Sequence, residues 1–553
     1  MTAPSANVAR YLPELAASTP GFDAIRIVGD DGVAVVTLSS VALNSEADAW
    51  AWRLQRAGVR RGDRVLLLVR PGLPLIAAVF ALFKTGAVPV VVDPGMGRAS
   101  FLECVRRTEP GFLLGIARAH AVSWVFAGAF RSVRKRILVR GGTTARIASG
   151  NVAPFPIAPT GARDLAAILF TSGSTGAPKG VRADHGMLEA QVRLVRDTFG
   201  VEPGEVDMPL LPIFALFNPA LGMTTVVPRV DPTRPATLDP AHVARTVIAN
   251  RVTNSFGAPV LWGMVAEHCN ANGVSLPSLR RVLMAGAPVS PEVFAAMRRA
   301  CPNAALHSPY GATEVLPVAT IESAEVLGSG DTPGTAVATL AGRGTCVGKP
   351  VHGVEVRVIE INDGPIADIA ATRNCSVDEI GEIIVRGPVA SRSYDNLPDA
   401  NAASKIPDGD EVWHRMGDVG CFDAAGRLWF CGRKAERVVT SGGSLFTECI
   451  EPIYNTHHAV HRTALIGFGK QGSQRPALAI EPKPGARPRD SAARRALARE
   501  LRGLATATPG APDIRVFYFV EKFPVDVRHN AKIHRLRLAH DLAGTPGIEL
   551  DKR

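Results

Sequence analysis

Short apolar runs at 65–69, 88–92, 112–116, 166–170 and 282–284 alternate with segments of helical periodicity at 186–197, Pro240–Asn250 and Pro291–Ala300. Runs of three to five apolar residues without polar alternation suit strands covered on both faces. Parallel strands must be joined by crossovers, which are usually helices. From about residue 62 to 289 the chain is therefore restricted to stacked α/β layers. Its most apolar stretch, 73–92, is broken by Lys84, Gly86 and Pro89. It reads as a buried helix over 74–84, a turn at Thr85-Gly86 and a buried strand over 88–92, not as a membrane span.

After about residue 344 the texture changes to alternating strands at 354–359 and 382–386, with turns at Gly387-Pro388 and 423–426. This predicts a smaller β-rich part. From about residue 434 there follow a strand over 463–468, a Pro/Gly/Arg-rich loop over 484–490 and an amphipathic helix. In that helix Leu497, Leu501 and Leu504 share one face, and Arg494, Arg495 and Arg499 lie on its solvated side. No repeat of 20 to 50 residues is visible.

Composition excludes some classes. With 46% hydrophobic and 20% charged residues the chain is too apolar for disorder. A net charge of +11 over 553 residues favours anionic ligands without demanding nucleic acid, and no nucleic-acid module is present. Eight dispersed cysteines with no C-x-x-C pair and no zinc spacing fit a reducing compartment. The first 20 residues lack a secretory pattern, so the expected location is the cytoplasm. Residues 122–130, followed by Arg131, Arg134, Lys135 and Arg136, read as a surface helix and a solvated basic turn; peripheral membrane contact is the alternative.

The strongest local signal begins where the strand at 166–170 runs into Thr171-Ser172-Gly173-Ser174-Thr175-Gly176-Ala177-Pro178-Lys179-Gly180. Three glycines let backbone N–H groups approach phosphate oxygens, four hydroxyls add donors, and Lys179 supplies a mobile charge. Pro178 stands where a Walker A loop needs glycine before its lysine, so this is a different cradle.

The loop resembles the phosphate loop of the adenylate-forming superfamily of acyl-CoA synthetases, luciferases and peptide-synthetase adenylation domains. Further motifs of that family follow in order. Ala285-Gly286-Ala287-Pro288 is similar to the segment that packs backbone against adenine. Tyr310-Gly311-Ala312-Thr313-Glu314 is similar to the segment whose tyrosine stacks on adenine, whose threonine meets the α-phosphate and whose glutamate holds Mg²⁺. In Met416-Gly417-Asp418 the aspartate corresponds to the ribose ligand, with Met416 where Thr or Ser is usual. Gly432-Arg433 resembles the entrance to a mobile C-terminal domain, where Arg433 would contact the nucleotide. In the segment from Phe523 to Ile533, Lys532 matches the lysine that reaches the carboxylate and α-phosphate, with Ala531 replacing the common glycine.

The resemblance implies an α/β fold. A large N-terminal domain with stacked layers and a β-rich subdomain would span 1–433, and a small mobile α+β domain 434–553. It implies ATP and Mg²⁺, with Lys532, Glu314 and Thr171 catalytic and Glu314 the metal ligand. Thr171, Ser172, Gly173, Ser174, Thr175, Gly176, Lys179, Gly286, Ala287, Pro288, Tyr310, Gly311, Ala312, Thr313, Asp418, Arg433 and Lys532 would bind the nucleotide.

Departures narrow the reading. Ala435 stands at the hinge position where acyl-CoA synthetases place Asp or Lys, Val439 where a Lys often precedes the thiolation loop, and Ala215 where many have His. The stretches at 214–222, 230–236, 414–420, 429–434 and 523–533 resemble the β-lactone synthetases of bacterial long-chain olefin biosynthesis, a likeness running from about Val8 to Leu538. That implies adenylation of a long-chain 2-alkyl-3-hydroxyalkanoic acid, ring closure by its own hydroxyl, and assembly with other olefin-pathway enzymes. The alternative is a long-chain acyl-CoA synthetase or acyl-AMP ligase. His185, His307 and His529 are candidate bases for the hydroxyl.

Overall fold

The computed structural model describes residues 6–93, 96–148, 152–171, 178–231, 234, 237–525 and 532–551, with the side chain of Thr171 left out. The chain forms two compact units. The first comprises Met1–Val318, Val351–Glu355 and Arg386–His414; the second Ala319–Pro350, Val356–Val385 and Arg415–Arg553.

The first unit contains the α/β layers. One sheet has the order Lys135–Leu138, Phe112–Gly115, Arg64–Leu68, Val88–Val92, Leu165–Thr171, Lys179–Asp184. All its pairs are parallel except the last. In a second set of strands Ala305–Ala312, Arg281–Met284, Asn254–Gly257, Val206–Asp207, Thr224–Val227 and Asp23–Val28 follow one another in parallel, and Ala34–Ser39 closes the edge antiparallel.

The apolar stretch at 73–92 folds as its interruptions predict. The helix Leu73–Thr85 is buried on nearly every side, and Gly86 caps it at φ 69° before the strand Val88–Val92 begins. Glycine is required there, since the left-handed backbone and a neighbour 2.9 Å from any added Cβ both disfavour a side chain. The helices Pro240–Asn250 and Pro291–Ala300 stand as expected, capped by Asp239 and Ser290, whose side chains accept backbone N–H bonds.

One expectation is corrected. Lys135 and Arg136 are not in a solvated turn but open an edge strand beside Phe112–Gly115, because the alternation through Ile137 supplies a buried face. The segment before them is a helix, Ala117–Val125, and a single 3₁₀ turn, Ala127–Phe130.

The second unit has an antiparallel part in which Thr345–Pro350 pairs with Leu428–Arg433, and the latter with 415–422. Its C-terminal part is a four-stranded sheet of Val460–Phe468, Arg475–Pro482, Val516–Phe519 and Ile548–Glu549, with the helices Thr447–Asn455, Ser491–Ala507 and Arg535–Leu542. Leu497 and Leu501 are buried in its core and Leu504 packs against it, while Arg494, Arg495 and Arg499 are exposed, as the helical period requires. Among the described residues no helix is long and apolar enough to cross a membrane.

Candidate active site

In the first unit Thr171 and Lys179 stand at the ends of two paired antiparallel strands and lie opposite each other in register. Ser172, Gly173, Ser174, Thr175 and Gly176 lie outside the described residues. Gly180 is held to glycine by Phe170, whose ring would stand 2.8 Å from an added Cβ.

The strands Arg281–Met284 and Ala305–Ala312 are parallel neighbours, with Leu283 opposite His307. Gly286, Ala287 and Pro288 leave the C-terminal end of the first, Tyr310, Gly311 and Ala312 end the second, and Thr313 and Glu314 form the turn that follows it. The C-terminal ends of parallel strands are where open α/β sheets take ligands. Gly286 has φ 99° and is exposed together with Pro288, so the backbone is presented. At Gly311 an added Cβ would meet the Val315 carbonyl at 2.6 Å, so the turn through Thr313-Glu314 needs a glycine there.

Residues outside the sequence-derived set join these motifs. The Tyr394 hydroxyl donates to Glu314 Oε1 at 2.7 Å, and the Ser391 N–H donates to the Glu314 carbonyl at 2.7 Å. The same segment pairs with the phosphate-loop exit, through a bridge between Val181 and Tyr394 and an Asp395 N–H bond to the Gly180 carbonyl at 2.8 Å. Asp395, fully buried, accepts from Arg64 and Arg182 at 2.9 Å each. Lys179 Nζ lies 5.0 Å from the centre of the Tyr394 ring and Lys405 Nζ 5.4 Å. Lys405 is buried and donates to the Ser391 carbonyl. Burial brings its ammonium down to about 7, against the opposing pull of Glu314. His414 is buried beside it and held well below the usual imidazole range by desolvation first and the Lys405 charge second.

The second unit holds the other motif residues. Asp418 and Arg433 are directly opposite across two antiparallel strands, and Arg433 Nη1 lies 2.8 Å from Asp418 Oδ1. Asp418 is buried and Arg433 partly exposed. Gly432 has φ 130°, and an added Cβ would collide with the Thr447 hydroxyl. Ala435 lies in the single turn Lys434–Glu436, whose ends are pinned by Lys434 to Glu382 at 2.9 Å and Glu436 to Arg535 at 2.9 Å. Arg535 also meets Glu451 at 2.6 Å, anchoring the chain just after Lys532. Lys532 itself is half-buried and precedes Ile533, which is buried and bridges Val525.

Of the candidate bases, His529 lies outside the described residues. His185 is buried edge-on to Phe83 and His307 packs edge-on to Phe199; burial lowers each to about 4.

The family model "AMP-binding enzyme" matches residues 14–395. The olefin beta-lactone synthetase of Stenotrophomonas maltophilia is 46% identical over 551 residues, an alignment covering 96% of this chain and 97% of that one. The chain is an AMP-binding enzyme of the olefin β-lactone synthetase family. The corresponding synthetase of Xanthomonas campestris is 44% identical, covering 96% of this chain and 97% of that one. The fold is that of the ATP-bound MatB of Rhodopseudomonas palustris, at a TM-score of 0.77 and 20% identity, with 98% of this chain and 99% of that one covered.

The enzyme is thus adenylate-forming and uses ATP. Its donor set suits a metal that bridges phosphates. Among the described residues no three His, Cys, Asp or Glu side chains could hold a metal ion together, whereas one carboxylate, Glu314, is fixed by a hydrogen bond close to Lys179. Mg²⁺ sites in general use one or two carboxylates and leave the remaining positions to substrate phosphates and water.

Proposed function

We propose that the enzyme adenylates a long-chain 2-alkyl-3-hydroxyalkanoic acid and closes it to a β-lactone. The observation that carries this reading is the end-to-end likeness to synthetases named for a β-lactone product. The carboxylate oxygen attacks the α-phosphorus of ATP and pyrophosphate leaves. The 3-hydroxyl oxygen of the acyl-adenylate then attacks the acyl carbon, its proton passes to a base, AMP departs and the four-membered ring closes.

Lys179, with Thr171, Ser172, Gly173, Ser174, Thr175 and Gly176, would hold the phosphates. Gly286, Ala287, Pro288 and Tyr310 would hold adenine with Gly311 and Ala312, and Thr313 would meet the α-phosphate. Asp418 would accept from the ribose hydroxyls, Arg433 would contact the nucleotide, and Lys532 would place its charge where negative charge develops in the displacement. Glu314 would hold Mg²⁺, which supplies charge neutralisation on the phosphate oxygens.

Ring closure needs orientation and no second substrate, which fits the absence of Asp or Lys at Ala435 and Val439. Residues 1–433 would form the ATP- and acyl-binding domain, and 434–553 a mobile domain carrying Lys532. Partner enzymes of olefin formation would take the lactone.

The test is product analysis by NMR after incubation with Mg·ATP and a long-chain 2-alkyl-3-hydroxy acid, with and without CoA. β-Lactone ring protons independent of CoA are the expected result. A thioester formed only with CoA would replace this reading with an acyl-CoA ligase.

A further inference from the structure

Glu314 is held at both its main chain and its side chain by one short segment of the first unit. Ser391 N–H donates to its carbonyl and the Tyr394 hydroxyl to its Oε1, and Ala390 bridges to Val315 next to it. The same segment reaches the phosphate-loop exit, where Arg182 N–H donates to the Ser393 carbonyl at 3.2 Å and Asp395 N–H to the Gly180 carbonyl at 2.8 Å. Lys179 and Glu314, the two groups of opposite charge in this unit's motifs, are therefore registered against each other through 390–395.

That segment has its own supports. Asn401 clasps the Tyr394 backbone from both sides, its Oδ1 accepting at 2.6 Å and its Nδ2 donating at 3.1 Å. Lys405 donates to the Ser391 carbonyl and directs its ammonium toward the Tyr394 ring. An ammonium in a buried site is expensive unless it meets acceptors or π faces, and here it meets both. An alkyl side chain would fill the same space at lower desolvation cost.

We propose that Tyr394 and Lys405 are positioning residues for Glu314, setting its carboxylate for Mg·ATP. This rests on the reading of Glu314 as the metal ligand. The Tyr394 hydroxyl engages Oε1 and thereby fixes the direction of the whole carboxylate, while Lys405 holds the segment that carries Tyr394 and adds positive charge beside it. Groups that orient a metal ligand from behind contribute about 10- to 100-fold in metal affinity.

The experiment measures Mn²⁺ affinity of the intact enzyme in the presence of ATP by electron paramagnetic resonance, alongside ATP affinity without metal. Tyr394→Phe, which keeps the ring, and Lys405→Met, which keeps the volume, should each weaken Mn²⁺ by about tenfold. ATP binding without metal should be unchanged, and the Mg²⁺ concentration for half-maximal pyrophosphate release should rise in parallel. Unchanged Mn²⁺ affinity in Tyr394→Phe, whatever its melting temperature, overturns the proposal even if Lys405→Met fails to fold. Glu314→Gln is the separate control: if it binds Mn²⁺ like the parent enzyme, the metal-ligand reading itself is lost.

Discussion

Lys532 immediately precedes Ile533, which bridges Val525, and Arg535, which clamps Glu436 and Glu451, so the backbone just after it is anchored whatever its side chain does. Lys532→Ala should therefore leave the fold and ATP affinity nearly unchanged. Pyrophosphate release with the hydroxy acid should fall by about 10² to 10³, the usual consequence of removing one donor to developing charge. An unaltered release rate would deny it that role. Lys532, Lys179 and Glu314 could be singled out as candidates from the sequence because each sits in a contiguous motif that resembles the family's. Tyr394 and Lys405 were not, since one tyrosine and one lysine in an unremarkable stretch gain meaning only when Glu314, some 80 residues earlier, folds against them. The histidine candidates illustrate the converse. His185 and His307 carry an apt functional group, and the fold sets each edge-on to a phenylalanine ring, Phe83 and Phe199.

Elements, more than single residues, followed the pattern of apolar runs. The helix Leu73–Thr85 buries Lys84, whose ammonium donates to Asp48 and Asn44 at 2.6 Å each, with Asp48 Oδ1 also accepting from the Phe155 N–H. Desolvation lowers the Lys84 ammonium. Asp48→Ala should destabilise the first unit by about 3–5 kcal/mol by leaving a buried charge uncompensated, and Asp48→Leu combined with Lys84→Met should recover most of it. Denaturant midpoints of the three proteins check this. Strand Val206–Asp207 carries a second buried acid. Burial raises Asp207 from 3.8 to about 7, against the opposing bonds from Asn218 and Asn254. Between those values the unfolded chain has lost this proton and the folded chain keeps it, so stability should decline as pH rises from about 4 to 7 and level off above. Asp207→Asn should flatten that component; an identical slope in urea midpoints measured at pH 5 and pH 7 would contradict it.

At the scale of the whole molecule, separate cores imply separate melting. One unit packs its sheets around residues such as Val65, Phe80 and Trp50, the other around Leu465, Leu478 and Ile480. Calorimetry should resolve two transitions. Asp48→Ala should lower one of them and Leu478→Ala the other, by several degrees each; a single transition moved by both variants would mean one cooperative body. The amino-acid order by itself determined the layered α/β class, the run of strands and helices, and the nucleotide motifs, because periodicity and glycine-rich turns are local properties. It also carried the family, since whole motifs recur in order. Tertiary structure alone decided that residues 135–136 begin an edge strand, that Asp395 gathers Arg64 and Arg182, and that Lys405 and Tyr394 stand behind Glu314. Those facts depend on strand pairing across long separations, and burial and partner choice arise only once the distant strands meet.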